Sequence, residues 1–229
     1  MKLNGAQILI NCLVEQGVNT IFGYPGASIL SVYDALDGSP VRHILAAHEQ
    51  GACFAASGYA RASGKAGVVL ATSGPGATNL VTGIADAFMD SVPLIAITGN
   101  VPLSNLGHDS FQEVDTFGIT MPVSKYGIIV KSVDELAFSI RKAFSIATSG
   151  RKGPVLIDVP CNVFDDIAEY KREVPKAVEQ KQIDEAEIEK AVQLINSAKH
   201  PVIYAGGGVK VGTPFLLRTA ITSLTREHS

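Results

Sequence analysis

The sequence predicts an α/β fold in which a mostly parallel six-stranded sheet lies between two layers of helices. Short apolar runs rich in β-branched residues alternate with helical patterns along residues 4–165. Such runs are typical of parallel strands that are buried on both faces. Glycine-rich turns follow several of the runs, and in open parallel sheets the carboxyl ends of the strands carry the ligand site. We therefore expect a binding site at that edge of the sheet.

Each element follows from its own pattern. Helices have apolar residues at helical spacing, and strands are uninterrupted apolar runs. In chain order we predict helix 4–16, strand 20–23, helix 29–36, strand 41–46, helix 50–62, strand 67–72, helix 77–90, strand 94–98, helix 133–149 and strand 154–159. Residues 99–117 are too polar and irregular for a core, and the stretch is long enough to suggest a functional loop.

The chain divides into one full domain and the beginning of another. We assign residues 1–165 to the first domain and the charged, unpatterned residues 166–183 to a linker. Residues 184–229 would begin a central domain, with an amphipathic helix over 184–198 and a strand over 201–205. The glycine triplet at 206–208 weakly resembles a dinucleotide-binding turn, but its spacing differs from the G-x-G-x-x-G pattern.

Composition narrows the classes of partner. The net charge of −3 and the lack of a Lys/Arg cluster argue against nucleic-acid and membrane-surface binding. No signal-peptide core or membrane-spanning run is present in the sequence, so we expect a cytoplasmic protein. Three scattered cysteines, Cys12, Cys53 and Cys161, suggest buried thiols rather than a metal cluster or a disulfide framework.

Glu49 is the first candidate for chemistry. It stands where the apolar run 41–47 gives way to a helix of small residues, at the end of a predicted buried strand. Taken alone, a Glu at such a junction is more often a first-turn charge that the helix dipole favours. Its sequence context changes that interpretation.

Several further motifs accompany Glu49 in a fixed order. The motifs are Tyr24-Pro25-Gly26, His48-Glu49-Gln50-Gly51-Ala52, Ala71 to Asn79, Asp90-Ser91-Val92-Pro93, Phe111-Gln112-Glu113 and Ser149 to Val155. Together they resemble the N-terminal pyrimidine-binding domain of thiamine-diphosphate enzymes, and most of all the large catalytic subunit of acetolactate synthase. Glu49 with the Ser-Gly-Pro-Gly turn would also fit other thiamine-diphosphate-dependent decarboxylases and oxidases. The Phe-Gln-Glu and Gly-Arg-Lys-Gly-Pro motifs favour acetolactate synthase.

The resemblance implies a chemistry and a set of site residues. Glu49 would hydrogen-bond N1′ of the aminopyrimidine of thiamine diphosphate and so promote removal of the cofactor's C2 proton. Pyruvate would then be decarboxylated, and its two-carbon unit would be transferred to a second 2-ketoacid. This reaction belongs to branched-chain amino acid biosynthesis. Gln112 would be a second catalytic residue. The resemblance implies cofactor contacts for Tyr24, Pro25, Gly26, Thr72, Pro75, Gly76, Asn79 and Phe111, and an FAD contact for Arg151.

Departures from the family pattern limit these expectations. Ala27 stands where the family usually has glycine, and Cys161 where it usually has lysine, which puts substrate handling in doubt. No Gly-Asp-Gly motif for the diphosphate and Mg²⁺ occurs, so we predict no metal ligands and expect the chain by itself to be half an active site. We expect a homodimer or higher homo-oligomer, and as a further partner a chain that carries the diphosphate-binding domain. The alternative is a non-catalytic α/β module that binds a small molecule or a homologue.

Overall fold

The structure is a computed structural model, and it describes residues 1–175 and 184–202. The chain separates into two compact units, Met1–Glu179 and Gln180–Ser229. The strand predicted over 201–205 lies largely, and the glycine triplet 206–208 wholly, outside the described residues. The domain boundaries at 165 and 183 stay a prediction.

The first unit is built from alternating strands and helices. Its strands are β1 (Lys2–Asn4), β2 (Thr20–Gly23), β3 (Arg42–Leu45), β4 (Gly67–Ala71), β5 (Leu94–Asn100), β6 (Tyr126–Ile129), β7 (Pro154–Pro160) and β8 (Ile167–Glu169). Its α-helices are α1 (Gly5–Glu15), α2 (Leu30–Leu36), α3 (Glu49–Ser63), α4 (Pro75–Thr78), α5 (Val81–Met89), α6 (Thr116–Thr120), α7 (Val133–Thr148) and α8 (Cys161–Asp165).

Six of these strands form one sheet in the order β3-β2-β4-β5-β7-β6, and every neighbouring pair is parallel. The predicted α/β fold with a six-stranded, mostly parallel sheet is confirmed. Side chains of one strand alternate between two cores: Ile95 and Ile97 face α1 and α7, whereas Leu94 and Ala96 face α3 and α5. This alternation gives the three-layer arrangement.

Helix α3 packs unusually close to the sheet. Its buried face consists of Ala52, Cys53, Ala56 and Ala60, and Gly67 at the start of β4 lies directly against the Ala56 carbonyl. A Cβ at position 67 would overlap that carbonyl group, so the close approach requires glycine. The small-residue helix predicted from the sequence therefore places the backbone of α3 close to the sheet.

Several details differ from the sequence-based prediction, which also did not include β1, α6 and α8. The edge strand β6 was not among the predicted strands, because its four residues are all half-buried and give no strong apolar run. The predicted helix 77–90 is two helices, α4 and α5, because the Leu80 amide bonds to the Ala77 carbonyl and tightens the turn between them. The residues assigned to a linker include β8, which pairs antiparallel with β1.

The second unit is described only at its N-terminal end. Helix α9 (Glu185–Ser197) agrees with the amphipathic helix predicted over 184–198, and the Asp184 carboxylate caps it by accepting from the amides of Ala186 and Glu187. Across the described parts of both units, we find no helix of the length and apolarity that a bilayer crossing needs.

A buried ion pair connects the segment after β8 to the helices on one face. The Glu15 side chain is 1% exposed, and its two oxygens accept from Arg141 Nε and Nη2 at 3.0 and 3.1 Å. The Tyr170 hydroxyl and the Glu173 amide also donate to it. Burial would raise the pKa of Glu15, but the hydrogen bonds from Arg141, Tyr170 and Glu173 hold it below its ordinary value.

We predict that Glu15→Ala lowers the free energy of unfolding by about 3 kcal/mol, because it leaves the Arg141 guanidinium and the Tyr170 hydroxyl without their shared partner. Urea unfolding followed by circular dichroism measures the change. Asp90→Ala is the matched control, since it breaks the exposed Arg61–Asp90 pair and should cost less than about 1 kcal/mol. Equal losses in the two variants would contradict the role given to the buried pair.

Candidate functional site

Glu49 is the first residue of α3 and lies at the carboxyl edge of the sheet, after β3. His48 caps the helix by accepting the Gln50 amide at its Nδ1, at 3.1 Å. Glu49 is 8% exposed, and its Oε2 accepts a hydrogen bond of 2.9 Å from Asn79 Nδ2. Asn79 follows α4, so the break between α4 and α5 presents the amide that orients this carboxylate.

The other Glu49 oxygen, Oε1, borders a solvent-accessible space, which we call the opening of the site. Among the described residues, no side chain or amide donates to Oε1, and none of their buried side-chain oxygens lacks a partner. Oε1 is therefore reached by solvent. An alanine Cβ at position 76 would lie 3.2 Å from Oε1 and 2.7 Å from Thr72 Cγ2, so Gly76 keeps this space open.

The turns after β2 and β4 are joined by hydrogen bonds. Ser28 Oγ lies 2.9 Å from Thr72 Oγ1, and the Ser73 amide donates to Ser28 Oγ at 2.9 Å. Gly26 lies directly against the Thr72 side chain, which leaves no room for a Cβ. The structure thus brings the predicted residues Tyr24, Pro25 and Gly26 to the same edge as Thr72, Pro75 and Gly76.

The loop that carries Phe111 and Gln112 lies over the turn after β4. Gly74, with φ of 61°, has the Gln112 backbone so close that a Cβ there would lie 2.7 Å from the Gln112 carbonyl oxygen. Gln112 itself has φ of 60°, a left-handed conformation that is uncommon outside glycine. Phe111 is 88% exposed. Both residues therefore lie at the predicted edge, with Phe111 facing outward.

Arg151 is not part of this group. It precedes β7 and so lies at the amino edge of the sheet, where its Nε donates to Ser91 Oγ at 2.8 Å and its guanidinium carbon lies 5.9 Å from the centre of the Phe88 ring. The opposite edge of the sheet holds Glu49. The structure therefore separates the residue predicted to contact FAD from those predicted to contact the pyrimidine.

The cysteines occupy two kinds of environment. Cys12 and Cys53 are buried as expected, and burial raises the pKa of each thiol to about 12. Cys161, at the carboxyl end of β7, is only partly buried, so the expectation of a buried thiol is wrong there; partial burial raises its pKa. Ala27 begins the 3₁₀ turn Ala27–Ile29 after Gly26.

Sequence reasoning missed a polar pair behind Glu49. The Tyr33 hydroxyl lies 3.1 Å from His43 Nε2, and the two rings meet edge to face. Burial and the nearby Glu49 carboxylate both raise the pKa of Tyr33. Burial lowers the pKa of His43, although a hydrogen bond to the backbone of Gly23 opposes the shift. Single residues at these spacings carry no motif, so the sequence held no signal for the pair.

Sequence reasoning also missed Asp158, a carboxylate near the carboxyl end of the apolar strand β7. It is 1% exposed, and it accepts hydrogen bonds of 2.5 Å from Thr98 Oγ1 and Asn100 Nδ2 on β5. Burial raises the pKa of Asp158 to about 6, against the lowering effect of these two hydrogen bonds. The one available signal was an ionisable residue within an otherwise buried run.

Comparison with known proteins identifies the family. Residues 3–119 match the family described as thiamine pyrophosphate enzyme, N-terminal TPP binding domain. The chain belongs to this family. The family predicted from the motifs is thereby confirmed, and the matched region contains all of the predicted pyrimidine-site residues.

Known acetolactate synthases are similar over most of the chain. It is 49% identical over 210 residues to acetolactate synthase isozyme 2 large subunit of Escherichia coli (strain K12), covering 90% of the chain and 38% of that protein. Identity to the isozyme 1 large subunit of the same strain is 51% over 213 residues, 91% of the chain and 38% of that protein. A probable acetolactate synthase large subunit of Methanocaldococcus jannaschii is 50% identical over 214 residues, 90% of the chain and 36% of that protein. The chain thus spans well under half the length of these relatives.

We predict that raising the pH from 4 to 7 destabilises the protein relative to its Asp158→Asn variant by about 2 kcal/mol. The folded protein keeps the Asp158 proton up to a pKa of about 6, whereas the unfolded chain releases it near 3.8, so this stabilisation is lost as the pH rises. Urea unfolding of both proteins across this pH range measures the difference in their free energies of unfolding. The contributions of the other carboxylates are the same in both proteins and cancel in this difference. A stability difference that does not change with pH would contradict the assignment.

Proposed function

We propose that the chain supplies the aminopyrimidine half of the thiamine diphosphate site in an acetolactate-synthase-type enzyme. The observation that carries the proposal is the geometry of Glu49: one carboxylate oxygen is fixed by Asn79, and the other faces an opening that Gly76 leaves free of side chains. The similarity to acetolactate synthase large subunits over about 90% of the chain supports the same conclusion.

The residues at this edge fit an aminopyrimidine ring. Such a ring needs a carboxyl group opposite a ring nitrogen, hydrogen-bonding groups for its amino group, and flat space above and below. Glu49 supplies the carboxyl group, and the side chains of Gln112 and Tyr24 lie on segments next to the opening. Gly26 and Gly76 both lie against the Thr72 side chain, where a Cβ would collide with it, so no side chain from either position enters the site. Pro75 offers no amide donor but begins α4 and shapes the turn.

When bound, thiamine diphosphate supplies a carbon nucleophile and the electron sink for decarboxylation of 2-ketoacids. Glu49 would share a proton with the pyrimidine N1′ through Oε1, the oxygen that accepts nothing from the described residues. Asn79 is a neutral donor, so it orients the carboxylate without supplying a compensating charge. The low exposure of Glu49 limits competition from water for the same proton.

An apolar rim supports a role in a larger assembly. Tyr24, Leu30, Leu45 and Phe111 are exposed large hydrophobic residues at or after the carboxyl ends of β2, β3 and β5. Exposed apolar side chains next to a site can form part of an interface. We propose that this rim packs against the part of the enzyme that holds the diphosphate and Mg²⁺, in a homodimer or higher homo-oligomer or in a complex with a chain that carries that domain.

The remaining parts of the activity belong to the same proposal. The enzyme would decarboxylate pyruvate and transfer the two-carbon unit to a second 2-ketoacid, and the chain alone would bind thiamine diphosphate weakly and turn over no pyruvate. If FAD binds through Arg151, it does so at the amino edge of the sheet, beside Ser91 and Phe88.

The test is acetolactate formation from pyruvate by the chain mixed with the part of the Escherichia coli isozyme 2 large subunit that the chain does not match. We expect turnover that requires both parts, and we expect Glu49→Gln to reduce kcat by about a thousandfold or more, because an amide cannot transfer the N1′ proton. Glu135→Gln is the matched control: it makes the same chemical change at an exposed position of α7 and should leave kcat unchanged.

Two outcomes would count against the proposal. Turnover by the chain alone would contradict the half-site, and undiminished turnover by the Glu49→Gln mixture would contradict the role of Glu49. Absence of turnover in every mixture, together with tight binding of another small molecule, would favour the non-catalytic module.

A further inference from the structure

Three buried polar side chains connect β5 and β7 at their carboxyl ends. Thr98, Asn100 and Asp158 are each almost fully buried, on the face of the sheet that α3 and α5 cover. Asp158 Oδ1 accepts from Thr98 Oγ1 and Oδ2 accepts from Asn100 Nδ2, both at 2.5 Å. Sheet pairing does not need this carboxylate, because the backbone register between the two strands is continuous through it.

The bond to Asp158 determines which way the Asn100 amide points. Because Nδ2 donates to the carboxylate, Oδ1 is directed away from it and accepts the Val101 amide at 2.7 Å. Val101 is the first residue after β5, where the loop 101–115 begins. If the Asn100 side-chain amide rotated by about 180°, its Nδ2 would face the Val101 backbone amide. Both groups are donors, so the hydrogen bond to Val101 would be lost.

The same loop ends in a conformation that needs support. Asp109 and Gln112 have φ of 52° and 60°, and left-handed backbone at residues other than glycine persists only where the surroundings enforce it. The Glu113 carboxylate accepts the Ser110 amide at 2.8 Å, and Asn162 Oδ1 accepts the Leu103 amide at 3.0 Å. The loop is therefore held at its entry by Asn100 of β5 and Asn162 of α8, and within itself by Glu113.

We propose that Asp158, acting through Asn100, is a positioning residue for the loop 101–115 and so holds Gln112 over the Gly74 turn. The buried carboxylate keeps the Asn100 amide in the orientation that ties down Val101. Burying a carboxylate is costly unless its hydrogen bonds offset the loss of water. A role in orienting the loop 101–115 explains why β7, which is otherwise apolar, carries the buried carboxylate of Asp158.

The inference concerns the loop and stands without any bound ligand. Only its consequence, that Gln112 is kept beside the pyrimidine, rests on the proposed function. Hydrogen–deuterium exchange on the chain without cofactor tests the loop directly, so failure of the proposed function would leave the result of this test unchanged.

The experiment compares exchange in peptides from 101–110 with exchange in peptides from β5 and β7, in four variants. Asp158→Ala removes the acceptor, and we expect exchange in 101–110 to rise at least about tenfold more than in the strands. Asp158→Asn should keep the loop protected from exchange. The oxygen of the new amide side chain can accept from Asn100, while the Thr98 hydroxyl rotates to accept from the nitrogen of that same side chain.

Thr98→Val is the matched control. It removes the other hydrogen bond of the same carboxylate with little change of shape, so it should lower overall stability without selective exchange in the loop. Asn100→Ala leaves Asp158 and Thr98 in place and should loosen the loop as Asp158→Ala does, which keeps the test decisive if Asp158→Ala does not fold.

The proposal is wrong if 101–110 exchange no faster than the strands in Asn100→Ala and in any folded Asp158→Ala. It is also wrong if Asp158→Asn loosens the loop as much as Asn100→Ala does, or if Thr98→Val loosens it equally.

Discussion

The parallel direction of all six strands is the constraint on which the site depends. Because β2, β3, β4 and β5 run the same way, the segments that follow them meet at one edge of the sheet. Glu49, Thr72 and Gln112 come from three of these segments and are far apart in sequence. A single reversed strand would remove its segment from the edge.

Glycine residues allow the turns at this edge of the sheet to pack closely around the site. Gly26, Gly74 and Gly76 each lie where a Cβ would collide with a neighbouring segment, so the turns approach one another more closely than other residues allow. The close packing of α3 against Gly67 also brings segments of the site together, since it places Glu49 near Asn79. Hydrogen bonds among Ser28, Thr72 and Ser73 then keep the turns in register.

The sequence was informative wherever a feature repeats or forms a motif. Apolar runs of strand length predicted five of the six sheet strands, and the motifs predicted the family and the residues that gather at the edge. The half-buried edge strand β6 has no such run. Glu49 and Asn79 both belong to motifs of the family. Their hydrogen bond, however, depends on the tight turn at Leu80 between α4 and α5, and no residue in the sequence predicts that turn.

Long-range polar contacts were beyond sequence reasoning for a physical reason. Asp158 and Asn100 are distant in the chain, and only the β5–β7 register, which pairs Asp158 with Thr98, brings the two side chains within hydrogen-bonding distance. The same holds for Glu15 and Arg141, which join two helices across the core. The position of Arg151 likewise follows from strand direction, which the motif around it does not encode.

The most direct measurement is nuclear magnetic resonance of the ¹⁵N-labelled chain titrated with an aminopyrimidine alcohol that corresponds to the pyrimidine half of thiamine. This compound lacks the diphosphate, so it isolates the contacts assigned to this chain. We expect chemical-shift changes at Gly26, Gly76 and the Asn79 side-chain amide, saturating with concentration and lost in Glu49→Gln, and none at Arg151. Saturable changes that survive Glu49→Gln, or that map to the amino edge around Arg151, would contradict the account.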